Sequence, residues 1–458
     1  MNQNNGPNWD YIVRDGCRIY QSGSHIDGNF IRVYTPEEIP SKKEKIKAII
    51  YLHGFALCMP KFYQDHILSL VKQGYIVFFP DFQRSDYPDD VETEKICKET
   101  YNKNDFGFWL TASSKVVTTT LKPQKTFERR MVYRDDQLSK KEQDSICGSF
   151  EEPSLSRYRQ VSIALVVLLG LLNLIAWFRK NYGKNLIRLI STVGWSLAEK
   201  PPEWIKHAMT LTENAWRQIC SDNPKLAPDN IEFYVFGHSL GGLLALSWPY
   251  YVQEEGKHLL APKQILVADP APSTEMGIPW FGILILKLFR SPFAREPITI
   301  SKTGPKLNVP VGIMHGADDK LVKPQTWVEG KPSNFHQIAS TDKAIYFSLS
   351  NQKNDPPLIA FHNQAVTDTT YFDDDLFDNF GGVKDGPNAY NGEFIWPGFD
   401  FVLSGQASAN QLLTRFPLHK IQVTDTLPDN SSLFSRPLIR VATALIALGV
   451  GYWLLRGV

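Results

Sequence analysis

Six short runs of apolar and aromatic residues, each closed by turn residues, set the tightest limit on what this chain can fold into. They are KAIIYLHG (47–54), GYIVFFPD (74–81), IEFYVFGHS (231–239), QILVADPAP (264–272), VPVGIMHG (309–316) and KAIYFSLS (343–350). Polar residues do not alternate with the apolar ones, as they do in a strand with one wet face. Such runs are strands buried on both sides, so they belong to a parallel sheet covered by helices. Helical stretches lie between some of them, at 61–73, 203–219 and 240–248. Strands alternating with helices predict βαβ units and an α/β fold with a doubly wound, mostly parallel sheet. Ahead of them, CRIYQSG and NFIRVYTPE predict a leading antiparallel pair.

The spacing of the runs is uneven. Asp81 and Ile231 lie 150 positions apart, too far for one crossover. The helix at 203–219 serves as the crossover, and residues 91–199 form an insertion between strands 4 and 5. Its first half is polar and charged. Then comes VSIALVVLLGLLNLIAWF (161–178), 18 residues without a charge, flanked by Arg157, Arg159, Arg179 and Lys180. That is the lower edge of a membrane-spanning length. One sheet cannot sit on both sides of a bilayer, so a monotopic or re-entrant hairpin is expected, with 186–198 as a returning interfacial segment. The competing expectation is a buried cap helix. A second apolar stretch, IPWFGILILKLF (278–289), lies between two strands where a cap helix fits. A third, at 438–458 with Val441 to Leu455 uncharged, is expected to be an apolar helix serving as a tail anchor or docking on the domain. The core is then 10–90 with 200–405, and 406–437 is a linker.

Composition excludes some functions. Lys+Arg is 49 and Asp+Glu is 48, so no polyanion such as nucleic acid is called for. The five cysteines, Cys17, Cys58, Cys97, Cys147 and Cys220, are scattered. That pattern argues against a disulfide framework or a zinc site and fits a reducing compartment. The first residues carry no export signal, so the sequon at Asn430 has little weight. No metal and no nucleotide cofactor is implied.

The chemistry is concentrated in FYVFGHSLGGLLALSW (233–248). A β-run enters Gly237-His238-Ser239-Leu240-Gly241 and a helix-forming run leaves it. A strand–turn–helix of this kind strains the serine into exposure, and small neighbours let the chain turn so tightly. A serine hydroxyl needs a base, and the base needs an orienting acid. The acid sits in the loop after strand 309–316, where Asp318 and Asp319 follow Gly316. The base is His362, just after strand 343–350; His53, His315 and His336 fall at less suitable places. The order Ser239, Asp319, His362 is the order a nucleophile on this architecture requires. An oxyanion hole is expected from the Leu240 N–H and from the turn His53-Gly54-Phe55-Ala56, with the Phe55 N–H as its second donor.

These residues resemble the α/β-hydrolase superfamily of lipase- and esterase-like serine hydrolases, over roughly residues 10–90 and 200–405. The match is carried by His53-Gly54, GHSLGG, the Asp319 loop and His362. The resemblance implies an eight-stranded core sheet and a Ser-His-Asp triad, and it selects Asp319 over Asp318. The long insertion departs from it. The expected function is a membrane-associated serine hydrolase of carboxylic, chiefly lipid, esters acting through an acyl-enzyme. The expected partners are an apolar acyl ester and a membrane surface. Basic residues flanking the apolar runs predict a catalytic domain on the cytoplasmic face. Two other readings stand beside it: a thioesterase or transacylase using the same triad, and a catalytically silent membrane-tethered scaffold.

Overall fold

The computed structural model describes residues 11–39, 45–85, 87–89, 192, 195–223, 226–276, 278, 280–288, 291–369 and 386–428. The runs at 161–178 and 438–458, the polar part of the insertion, Cys97, Cys147 and the sequon lie outside the described residues, and the segment 186–198 lies partly outside them. Among the described residues no helix is long and apolar enough to cross a membrane.

Each of the six apolar runs forms a strand. The strands are β1 (Tyr11–Arg14), β2 (Cys17–Ser22), β3 (Ile31–Pro36), β4 (Ile46–Leu52), β5 (Ile76–Pro80), β6 (Ile231–His238), β7 (Pro262–Ala268), β8 (Val311–Gly316), β9 (Lys343–Leu349) and β10 (Gln422–Thr424). They form one ten-stranded sheet in the order β1-β2-β3-β5-β4-β6-β7-β8-β9-β10. The centre, from β5 to β9, is parallel. The pairs β1–β2, β2–β3, β3–β5 and β9–β10 are antiparallel. The predicted leading pair is therefore β2–β3, and the doubly wound sheet is present.

Helices cover both faces. On one side lie α2 (Pro201–Asp222) and α3 (Leu240–Glu254). They meet alternate strand residues such as Ala48, Ile50, Phe78, Val235, Val267 and Ile313. On the other side lie α1 (Gln64–Lys72) and α5 (Trp396–Leu403), packed on Ile49, Tyr51, Val77, Phe236, Leu266 and Met314. The neighbouring residues Ile49 and Ile50 face opposite cores, so neither side of the strand tolerates a polar residue. The sequence 278–289 holds α4 (Trp280–Leu288), between β7 and β8. It buries Leu286 but leaves Leu284 and Leu288, one turn apart, 58% and 74% exposed.

Two expectations change. Among the described residues the sheet has ten strands rather than eight. Asp15-Gly16, both at positive φ, is a tight hairpin that adds β1 to the edge. The stretch 406–437, expected as a linker, joins the body as far as it is described. Leu412 and Phe416 are buried against the second core, and β10 pairs with β9. Burial of these apolar side chains outweighs the polar composition around them.

α3 is enclosed along most of its length. Its Trp248 is fully buried, with the indole N–H donating to the Leu260 carbonyl at 3.0 Å. Trp248→Ala leaves a large cavity and an unpaired carbonyl, so it is expected to cost about 3–5 kcal/mol in urea unfolding.

Candidate active site

Ser239 stands at the handover from β6 to α3 with φ 55° and ψ −116°, a conformation costly for any residue with a side chain. Packing holds it there. A Cβ on Gly241 would lie 2.3 Å from the Leu52 carbonyl oxygen, and one on Gly237 would lie 2.1 Å from that of Gly241. Both positions must therefore lack a side chain. The Gly241 N–H donates to the His53 carbonyl at 3.1 Å and the Ser239 N–H to Ala268 at 2.9 Å, tying the turn to β4 and β7.

The three residues picked from strand ends come together. His362 Nε2 lies 2.6 Å from Ser239 Oγ. His362 Nδ1 lies 2.7 Å from Asp319 Oδ2. A carboxylate only accepts, so Nδ1 carries the proton and Nε2 is bare to accept from the serine. Asp319 Oδ1 accepts the N–H groups of Leu321 at 2.8 Å and Val322 at 3.0 Å. Burial alone would raise its carboxyl; the adjacent His362 imidazole, His315 and the Val322 N–H outweigh burial and hold it below the usual aspartate range. Asp318 turns away: its N–H donates to Ala360, and its carboxylate accepts from the Ser350 hydroxyl.

The turn after β4 is gripped on each side of Phe55. The Gly54 N–H donates to the Tyr63 hydroxyl at 2.8 Å, and the Ala56 N–H to Gln83 Oε1 at 3.1 Å. The Ala56 carbonyl accepts from the Tyr87 hydroxyl at 2.7 Å. Among the described residues the Phe55 N–H has no partner in that turn. The Leu240 N–H, in the first turn of α3, points out of the ladder as every first-turn N–H does.

Beneath this turn lies a network that sequence reading did not reach. Asp81, at the end of β5, takes His25 Nδ1 at 2.6 Å, His53 Nε2 at 3.0 Å and the Gln83 N–H at 2.8 Å. Burial works against its charge, but the hydrogen bonds from His25 and His53 outweigh burial and hold its carboxyl low. The signal was an aspartate ending a buried strand in FFPD. A second unforeseen acid, Asp269, ends β7 at φ 47°. It accepts the Gly316 N–H at 2.8 Å and Gln364 Nε2 at 3.2 Å. Burial and the Asp319 charge push it well above the usual range. His315 lies between the two acids, and burial pushes it down to about 4, so it is neutral.

Among the described residues two groups have donor types suited to a metal: His53, Cys58 and Asp81, and Asp269, His315 and Asp319. In the first, the separation of His53 from Asp81 is that of a hydrogen bond. In the second, Asp319 is already taken by His362 and two backbone N–H groups. Both are read as polar networks.

No protein-family model matches the chain, and no curated protein matches it. Solved structures give faint likenesses. The Paleococcus ferrophilus monoacylglycerol lipase is 11% identical, covering 68% of this chain and 89% of that chain, with a TM-score of 0.30. A soluble variant of monoglyceride lipase from Saccharomyces cerevisiae is 12% identical over 75% of this chain and 86% of that one, TM-score 0.31. Acetyl xylan esterase from Paenibacillus sp. R4 is 12% identical over 74% and 80%, TM-score 0.34. Scores this low establish no kinship, and the site stands on its own geometry.

A depressed carboxyl adds stability above its unfolded pKa of about 3.9 and loses it as pH falls through the lower folded value. Asp319→Asn is expected to lower stability by about 1.5–3 kcal/mol at pH 7. Urea unfolding should show that gap narrowing as the pH is taken from 7 to 3.

Proposed function

We propose that the protein is a serine hydrolase of carboxylic esters, working through an acyl-enzyme on Ser239. One observation carries this: the unbroken chain from Ser239 Oγ through His362 to Asp319, with the serine in a strained turn. In the proposed reaction Ser239 attacks the ester carbonyl as His362 Nε2 takes its proton. The carbonyl oxygen becomes an oxyanion, received by the N–H groups of Phe55 and Leu240. His362 then gives the proton to the departing alcohol. Water repeats the sequence and frees the acid. Asp319 holds the imidazole in the one tautomer that serves both steps and supports the imidazolium between them.

Within the same proposal the esters are lipids and the protein works at a membrane surface, its catalytic domain on the cytoplasmic side. The uncharged runs at 161–178 and 441–455 support this reading, as do the exposed Leu284 and Leu288 of α4. An apolar acyl chain then passes from lipid to site without crossing water.

Labelling with a fluorophosphonate probe in detergent tests the chemistry. Folded wild-type protein is expected to label, and Ser239→Ala is expected to lose labelling and at least about a thousandfold in ester hydrolysis. A folded wild-type protein that neither labels nor hydrolyses would favour the silent-scaffold reading instead.

A further inference from the structure

We propose that His238, the residue between Gly237 and Ser239, is a positioning residue that locks the base loop to the oxyanion turn through Tyr63. The proposal rests on the Ser239–His362–Asp319 reading and adds a part to it. The His238 ring spans the two loops from within β6. Its Nε2 lies 2.9 Å from the backbone carbonyl of His362, the base residue itself. Its Nδ1 lies 2.9 Å from the Tyr63 hydroxyl. That hydroxyl accepts the Gly54 N–H, immediately before Phe55.

The protons on this chain have one arrangement. A carbonyl only accepts, so His238 Nε2 carries the hydrogen and donates it to His362. The neutral ring then has a bare Nδ1, which the Tyr63 O–H must fill. The tyrosine oxygen in turn accepts from Gly54. Each donor has an acceptor, and each link lies in the interior: His238 and Tyr63 have no exposed surface and His362 is 2% exposed. Burial pushes His238 down to about 3, so the ring stays neutral wherever the enzyme works. Shape enforces the same contact. A Cβ at Gly54 would stand 2.7 Å from His238 Nδ1, so the turn is glycine where the ring needs room.

The consequence is geometric coupling. The base must meet Ser239 Oγ, and the oxyanion donors must meet the carbonyl oxygen of the same substrate. Two loops far apart in the chain supply these groups. His238 references both to the strand that carries the nucleophile. Neither His238 nor Tyr63 touches the reacting atoms; they act through His362 and Phe55.

The test uses the full chain in detergent, with p-nitrophenyl butyrate hydrolysis, fluorophosphonate labelling and thermal melting. Tyr63→Phe and His238→Leu keep shape and remove links. Each is expected to lower kcat about 10- to 100-fold, the range of a misplaced oxyanion donor, with KM within about twofold. His238→Gln supplies one donor and one acceptor and should recover most of the kcat lost in His238→Leu. The double variant Tyr63→Phe/His238→Leu should be no slower than the worse single one, because one chain is broken once. Equal losses in Gln and Leu, additive losses, or wild-type kcat in both single variants would overturn the coupling while labelling of wild-type Ser239 upholds the triad. Folded wild-type protein that fails to label removes the triad and the coupling together. Should His238→Leu not fold, Tyr63→Phe, which retains the ring, decides the question by its split between kcat and KM.

Discussion

The structure turns on a single unfavourable conformation, that of Ser239 at positive φ. Its cost of about 1–3 kcal/mol is borne by the surrounding core, because β6 and α3 cannot relax without losing their packing. Three backbone hydrogen bonds, from Gly241 to His53, from Ser239 to Ala268 and from Ala271 to Ser239, and two absent side chains hold the turn against β4 and β7. The nucleophile is thus presented by the most deeply packed part of the molecule, at the centre of the parallel sheet. The loops that bring Asp319 and His362 need only reach the ends of β8 and β9 to meet it.

Around that point the interior holds three buried aspartates, each with hydrogen-bond partners. Asp81 gathers two imidazoles and a backbone N–H under the oxyanion turn. Asp319 gathers one imidazole and two backbone N–H groups. Burial and the nearby Asp319 charge push the Asp269 carboxyl well above the usual range, while Asp319 is held low by His362. Buried networks of this sort are costly when half satisfied and rigid when complete. Here the rigidity falls where loops converge and where a proton has to travel a short, fixed path.

Much of this was legible in the residues. Unalternating apolar runs announced strands buried on both faces, and the glycines around Ser239 announced the turn. Chain order then chose His362 among several histidines. What escaped was of two kinds. Asp81 and Asp269 follow strands as Asp319 does, but their partners come from distant turns, and no local pattern shows that His25 and Gln364 will meet them. The sequence places His238 only in the turn around Ser239 and singles out nothing at Tyr63; only the fold puts a hydroxyl between an imidazole and a glycine N–H. At the edges, Asp15-Gly16 was a readable hairpin signal, whereas Gln422–Thr424 is too short to show a period.

The insertion between β5 and α2 is fastened at both of its roots. Asp89 receives the His25 N–H on its side chain and the Arg32 guanidinium on its carbonyl. Ser196 receives the Gln83 amide, the same side chain that holds Ala56. One side chain, Gln83, therefore fastens both the returning root and the turn that carries Phe55. Any shift of the returning root is thereby passed through one amide side chain to Ala56, the residue after Phe55.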